Sequence, residues 1–257
     1  MYAPIEIEGE KYYLKPMNCP HHHIIYSSKP RSYKDLPLRL AEFGTVYRHE
    51  RSGVLCGLIR VRGFTQNDAH IYTTEEQLQY ELISILRMHD QVFKHDFHIT
   101  DYWYRLSLPD FKKNKEKYGD IKNKALWTRG ADDLRAALTH LKLPFVEAQG
   151  EATFYGPKID IQLRNIHGKE DTVATIQVDY YSAGRFGLSY IDAGGKAVAP
   201  VIIHRAILGS FERFIAFLLE YTAGVLPLWL LPMQVVLLPV SEKHYVYAQS
   251  ILEQLRN

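Results

Sequence analysis

Hydrophobic and polar positions recur in two rhythms along this chain, and each rhythm predicts a different element. Over about residues 75–94, Leu78, Leu82, Ile85, His89 and Val92 follow at steps of three and four, which lays them along one stripe of a helix. Thr73-x-x-Glu76 ahead of them reads as a capping box. A short helix is expected over 132–143, and another over 209–221, apolar on almost every side. Elsewhere the pattern reads as strands: 11–16, 42–50, 59–73 with a break at Gly63, 102–108, 153–163, 172–180 and 201–208. Residues 51–58, with Ser52, Gly53 and Gly57, read as a hairpin loop, and Gly168 marks a turn between two strands. Successive strands joined by loops predict an α+β fold, a largely antiparallel sheet flanked by helices. After Pro232 the pattern restarts with an apolar strand (234–239) and a helix (242–255), as at the opening of a second domain.

One stretch tests this reading. Residues 221–240 carry no charge and are long enough to cross a bilayer. Gly224, Pro227, Pro232 and Pro239 break any single helix there, so a buried helix end, a turn and a buried strand are expected instead. Composition supports a sizeable core: 46% of the 257 residues are hydrophobic and 23% charged. The net charge of +2 neither requires nor excludes a nucleic-acid partner. Cys19 and Cys56 are the two cysteines, too few and too far apart for a disulfide framework. That suits a reducing cytoplasm, and the opening residues show no signal peptide. Residues 109–124 hold six lysines against three acids, either a solvated insertion or a contact to RNA phosphates.

Chemistry enters through the strand faces. Alternate residues of a strand share a face, so Phe64, Gln66, Asp68 and His70 form one row. A ring, an amide, a carboxylate and an imidazole do not make an ordinary core face. Val46, Arg48 and Glu50 share another face, and Lys158, Asp160 and Gln162 oppose Ile159, Ile161 and Leu163. Val173, Thr175, Gln177 and Asp179 oppose Ala174, Ile176, Val178 and Tyr180. Such a sheet packs its apolar side on helices and lines a cleft with the other, where arginines suit a polyanion such as ATP. Glu212 and Arg213 interrupt the apolar 209–221 run, either as an internal ion pair or with the arginine reaching a ligand. Cys19 precedes His21, His22 and His23, and these three neighbours cannot all face one ion. Thiolate and imidazole are zinc ligands, and three of them leave a position open for substrate.

The residues also resemble a known family. Tyr47-Arg48-His49-Glu50 looks like motif 2 of class II aminoacyl-tRNA synthetases, and Gly209-Ser210-Phe211-Glu212-Arg213 looks like motif 3. The longer strings KPMNCP (15–20), LPLRLAEFGTVYRHE (36–50), RVRGFTQNDAHI (60–71), FYGPKID (154–160), TIQVDY (175–180) and IHRAILGSFERF (203–214) resemble the threonyl-tRNA synthetase family in order and spacing. The resemblance runs from about residue 10 to 257.

It implies a class II synthetase-type antiparallel sheet over 1–231 and the truncated start of an α/β anticodon-binding domain over 232–257. By position it assigns zinc to Cys19, His70 and His204, and threonine to Gln66, Asp68, Tyr155 and Lys158. It assigns ATP to Arg48, Glu50, Arg60, Phe64, Gln177 and Arg213, with Arg48 and Arg213 catalytic and Phe64 and Arg213 sandwiching the adenine. Mg²⁺ with ATP, L-threonine, tRNA(Thr), a homodimeric assembly and a cytoplasmic place follow from the same resemblance. Motif 1 is not found before Lys15, and no editing segment is seen, so a catalytic-core fragment is expected. A silent module that binds threonine or RNA is the competing reading. A plain zinc-binding structural domain is a third.

Overall fold

The strands with the clearest alternation join one seven-stranded sheet in this computed structural model, which describes residues 1–113, 118 and 124–256. In chain order the elements are β1 (Ile5–Ile7), β2 (Glu10–Tyr12), α1 (Cys19–Ser27), β3 (Leu38–Tyr47), β4 (Gly63–Thr73), α2 (Glu75–Asp90) and β5 (Tyr102–Leu108). Then come α3 (Lys124–His140), β6 (Phe145–Gln149), β7 (Lys158–Arg164), β8 (Glu170–Asp179), α4 (Ser182–Arg185), β9 (Tyr190–Ile191), β10 (Ala197–Val198), β11 (Val201–Ala206), α5 (Phe211–Tyr221) and α6 (Tyr245–Arg256). The sheet order is β3-β4-β11-β8-β7-β5-β6, antiparallel throughout except for the β5–β6 pair. Parallel neighbours need a long crossover. Here it includes α3, so the lysine-rich stretch is part of that connection. Lys115, Lys117 and Lys122 lie outside the described residues.

Alternation decides what each face meets. Ile71, Ile159, Ile161, Leu163, Ile176, Val178 and Ile203 point to one side and are buried there. Leu78, Leu82, Ile85 and Leu86 of α2, Leu134 and Leu138 of α3 and Phe214, Phe217 and Leu218 of α5 cover them. All three helices thus pack on one face, and the opposite face is left for chemistry. There α1 and α4 cover only one end, through a smaller cluster of Tyr26, Leu36, Tyr72, Ala183, Leu188, Tyr190 and Ile202.

Several expectations are corrected. β3 runs over Leu38–Tyr47, so Arg48 and Glu50 lie beyond its end and do not extend the face of Val46. β4 starts at Gly63, and β7 starts at Lys158, five residues after the expected 153. The cap of α2 is Thr74, reciprocated by Gln77, because the Thr73 hydroxyl is buried and donates to the Val201 carbonyl (3.4 Å). α3 begins at Lys124, not 132: Trp127, Gly130 and Ala131 continue its buried stripe. Val173 sits in the core beside Ala174, since a bulge opposite Ile161/Gln162 resets the alternation. Residues 234–239 form no strand. No described strand pairs with them, two flanking prolines lack N–H donors, and Val235, Val236 and Leu238 stand more than half exposed. α6 matches the expected helix, but none of it is buried. Among the described residues no helix is long and apolar enough to cross a membrane.

Gly156 shows how tightly β7's entry is drawn. A Cβ added there would lie 2.1 Å from the Val178 carbonyl oxygen. Backbone cannot swing aside as a side chain can. Gly156→Ala is therefore expected to cost about 1–3 kcal/mol, whereas Gly184→Ala, with open space around it, is expected to be near neutral. Urea midpoints at unchanged slope will measure both.

Candidate active site

Strand register places the chemistry in a lateral row. His204 of β11 lies opposite His70 of β4 on one side and Gln177 of β8 on the other, and Gln177 lies opposite Lys158 of β7. Directly opposed residues share a face, so these side chains converge across the centre of the sheet. The His70 and His204 rings meet edge to face, 4.6 Å between centroids. Cys19 arrives from above, at the first position of α1, where Pro20 starts the helix without needing its N–H. Potential ligand atoms of Cys19, His70 and His204 all lie within 4.8 Å of one another.

Those atoms fit a metal ion on a second ground. His70 Nε2 and His204 Nδ1 are buried and have no hydrogen-bond partner among the described residues. Orphaned polar atoms inside a protein are costly, and a metal ion would engage both lone pairs. Burial, with the neighbouring His204, His22 and His23, holds the His70 pKa well below its usual value, so this imidazole stays neutral. Burial pulls His204 down too, yet the neighbouring Asp179 carboxylate and Cys19 thiol outweigh that and lift it to about 10. Asp179 and Cys19 thus offset the burial cost of positive charge at His204. Asp179 Oδ2 lies 3.0 Å from His204 Nε2, while Oδ1 accepts from the Tyr181 and Ser182 amides at 2.7 and 2.8 Å. A carboxylate behind a ligating histidine is the usual support of such a site.

Beside the cluster is a cavity of about 100 Å³ lined by Cys19, Arg48, Gln66, Asp68, His70, Tyr155, Gln177 and His204. Asp68 is 9% exposed; burial raises its pKa, against a hydrogen bond from Asn18 Nδ2 at 3.1 Å. Asn18 in turn presses on Gly44, where an added Cβ would lie 2.4 Å from the amide nitrogen. The Tyr155 ring stacks on His204 at 4.7 Å, and its hydroxyl donates to Gln177 Oε1. Burial raises that hydroxyl's pKa, so it remains a donor.

A cleft of about 760 Å³ adjoins this pocket, and Arg48, Gln66, Tyr155 and Gln177 line both. Glu50, Arg60, Phe64, Lys158 and Arg213 complete the expected set. The Arg48 guanidinium lies over the Phe64 ring, 5.1 Å from its centroid, and Nε donates to the Pro16 carbonyl at 3.3 Å. Arg60 pairs with Glu50 at 3.1 Å. Glu212 and Arg213 form no ion pair with each other. The Glu212 carboxylate accepts from the Thr65 amide (3.1 and 3.0 Å), and Arg213 Nε donates to the Ile59 carbonyl (3.0 Å) while lining the cleft. Lys158 Nζ is held 2.7 Å from Asp160, which also accepts from Ser107 (2.7 Å) and Arg105 (3.0 Å).

Every expected site residue therefore lines one of two adjoining cavities. Cys56 is exposed and apart from the cluster. Asn18, His22 and Asp179 were not singled out from sequence. Asn18 and His22 sit in the same string as Cys19, and Asp179 occupies the polar face of β8, but nothing in that pattern says which partner each supports.

Residues 3–222 match the family described as tRNA synthetase class II core domain (G, H, P, S and T). A threonine--tRNA ligase of Chlorobium phaeobacteroides is 51% identical over 246 residues, 96% of this chain and 37% of that protein. One from Oceanobacillus iheyensis is 45% identical over 257 residues, 100% of this chain and 39% of that protein. The chain thus spans less than two fifths of the length of these curated relatives. A crystal structure described as the RNA binding domain of threonyl-tRNA synthetase from Cryptosporidium parvum superposes with a TM-score of 0.87 at 39% identity, over 98% of this chain and 61% of that one. The two curated relatives named above, matched along 96% and 100% of this chain, are threonine--tRNA ligases, and the chain belongs to the class II tRNA synthetase core-domain family (G, H, P, S and T).

Proposed function

We propose that this chain carries the catalytic core of a threonine–tRNA ligase, which activates L-threonine with ATP and transfers it to the 3' end of tRNA(Thr). One observation carries the reading: a small pocket beside a Cys/His/His cluster opens into a larger arginine-lined cleft. The small pocket suits an amino acid, and the cleft suits a nucleotide.

The residues divide accordingly. Cys19, His70 and His204 would hold zinc, which when bound would supply Lewis-acid chemistry toward threonine. Asp68 accepts from the threonine hydroxyl through the oxygen that Asn18 leaves free, and Gln66, Tyr155 and Lys158 orient the rest. Valine has nearly the same shape but no hydroxyl, so it would leave the second oxygen of the buried Asp68 without a partner. Serine keeps the hydroxyl and is only weakly excluded. In the cleft, Glu50 reads the adenine amino group, Phe64 and Arg213 flank the ring, Gln177 supports the adenylate, and Arg60 meets the terminal phosphates alongside Mg²⁺. An oxygen of the threonine carboxylate attacks the α-phosphorus, and the bond to pyrophosphate breaks. Arg48 stabilises the charge that builds on the α-phosphate, so positioning and fixed positive charge dominate catalysis. The terminal ribose hydroxyl of tRNA then attacks the carbonyl of the adenylate, and AMP leaves.

Residues 1–231 form the catalytic part in this reading and 232–257 begin an anticodon-binding segment. The unburied α6 and the end of the family match at residue 222 support that division. A homodimer, tRNA(Thr) as partner and a cytoplasmic place belong to the same proposal. ATP–pyrophosphate exchange tests it: exchange is expected with threonine, weaker with serine and at least about 100-fold weaker with valine. Threonine binding without any exchange would favour a silent module.

A further inference from the structure

α1 carries three consecutive histidines, none of which is a ligand in the reading above. His21 points to solvent. His23 Nδ1 lies 2.8 Å from the Tyr72 hydroxyl. His22, three residues from Cys19 on the same helical face, is 4% exposed and engages both of its ring nitrogens. Its Nδ1 lies 2.7 Å from His70 Nδ1, and its Nε2 lies 3.0 Å from Glu42 Oε1.

We propose that Glu42 and His22 form a hydrogen-bonded relay that holds His70 in the tautomer and orientation of a metal ligand. The inference rests on the metal reading of Cys19, His70 and His204. Its direction is fixed from the far end. A carboxylate accepts, so His22 Nε2 carries the proton and donates to Glu42. A neutral imidazole has one donor, so His22 Nδ1 is the acceptor. His70 Nδ1 must then donate, which leaves the lone pair on His70 Nε2. That is the buried His70 atom with no partner among the described residues. A chain of roles begun at Glu42 thus ends on a nitrogen that is buried and otherwise without a partner among the described residues.

The relay also has a spatial reason. His204 has Asp179 directly behind it at 3.0 Å. Glu42 sits on the edge strand β3 opposite Asp68, one strand over and displaced along the sheet from His70. An intervening imidazole spans that gap, and α1 supplies it from the turn that presents Cys19. Both ligand histidines thereby end on a carboxylate, one directly and one through His22. Lys15 Nζ lies 3.9 Å from the other Glu42 oxygen and adds a cation at the outer end.

Zinc transfer from the full chain to a chromophoric chelator tests the relay. Outer partners of metal ligands are typically worth about 10–100-fold in affinity, so His22→Phe and Glu42→Ala are expected to weaken zinc binding by that factor. His22→Gln keeps an acceptor and a donor in one side chain and is expected to stay within about threefold of wild type. Phenylalanine fills the space better than glutamine does. If His22→Phe holds zinc as wild type does, or His22→Gln fails as badly as His22→Phe, the role is packing and the relay is overturned. Cys19→Ser separates the two readings: a wild-type chain that takes up no zinc, or a Cys19→Ser chain that keeps it, overturns the metal assignment itself. Should the His22 variants not fold, imidazole nitrogen resonances of wild type decide. A proton on His70 Nδ1 upholds the relay, and one on Nε2 overturns it.

Discussion

Arg48→Ala is expected to lower threonine-dependent ATP–pyrophosphate exchange by about 10²–10³-fold. Arg48 is one of the residues that line both the small pocket and the large cleft. In the proposed function it stands where an amino-acid carboxylate would meet an α-phosphate. Its guanidinium rests on the Phe64 ring and donates to the Pro16 carbonyl, which aims a planar fork at that junction. Charge that develops only during attack is met by a donor already in place, so the loss should fall on kcat more than on KM for ATP. Arg48→Lys keeps the charge but loses the fork and the flat stacking surface, and it should recover little. Arg48 is exposed and lies beyond the end of β3, so stability should change little. Exchange kinetics beside a urea midpoint will separate chemistry from folding. Wild-type exchange in Arg48→Ala would remove this residue from the mechanism.

Cys19→Ser is expected to release zinc and to abolish threonine activation, while Cys56→Ser changes neither. A serine hydroxyl is a poor replacement for a thiolate toward zinc. With the metal contact gone, several kcal/mol of substrate positioning is lost, about 100-fold or more in rate. Treating wild type with a chelator should have the same effect, reversed by added zinc. Metal content per chain and exchange rate together make the check. Equal metal loss in both cysteine variants would mean that the wrong cysteine was chosen, and exchange indifferent to the chelator would end the metal assignment.

Strand faces were the most legible part of the sequence. The row Phe64, Gln66, Asp68 and His70 needs only the period-two geometry of β4. The limits of that reasoning are equally physical. Val173 escapes it because a bulge is set by pairing with a neighbouring strand, which one segment cannot reveal. β6 pairs parallel with β5 across a long crossover, and its short, half-exposed run carries little pattern of its own. α1 was hidden because Pro20 and three histidines do not look like an amphipathic stripe. Its buried positions, His22, His23 and Tyr26, make sense only once β4 and β11 lie beneath them. The Glu212–Arg213 alternative was undecidable from sequence, since the partner of Glu212 is a backbone amide of β4 far away in the chain.

The lateral row also has a kinetic meaning. Cys19, His70 and His204 come from segments far apart in the chain, and His204 reaches its place only when β11 inserts between β4 and β8. Such long-range pairings are slow to form, because loop closure precedes any reward from contacts. A metal ion cannot meet all three donors until that strand is seated. Zinc capture during refolding should therefore lag the collapse of the helical layer and follow completion of the sheet, making the bound ion a clock for the last topological event.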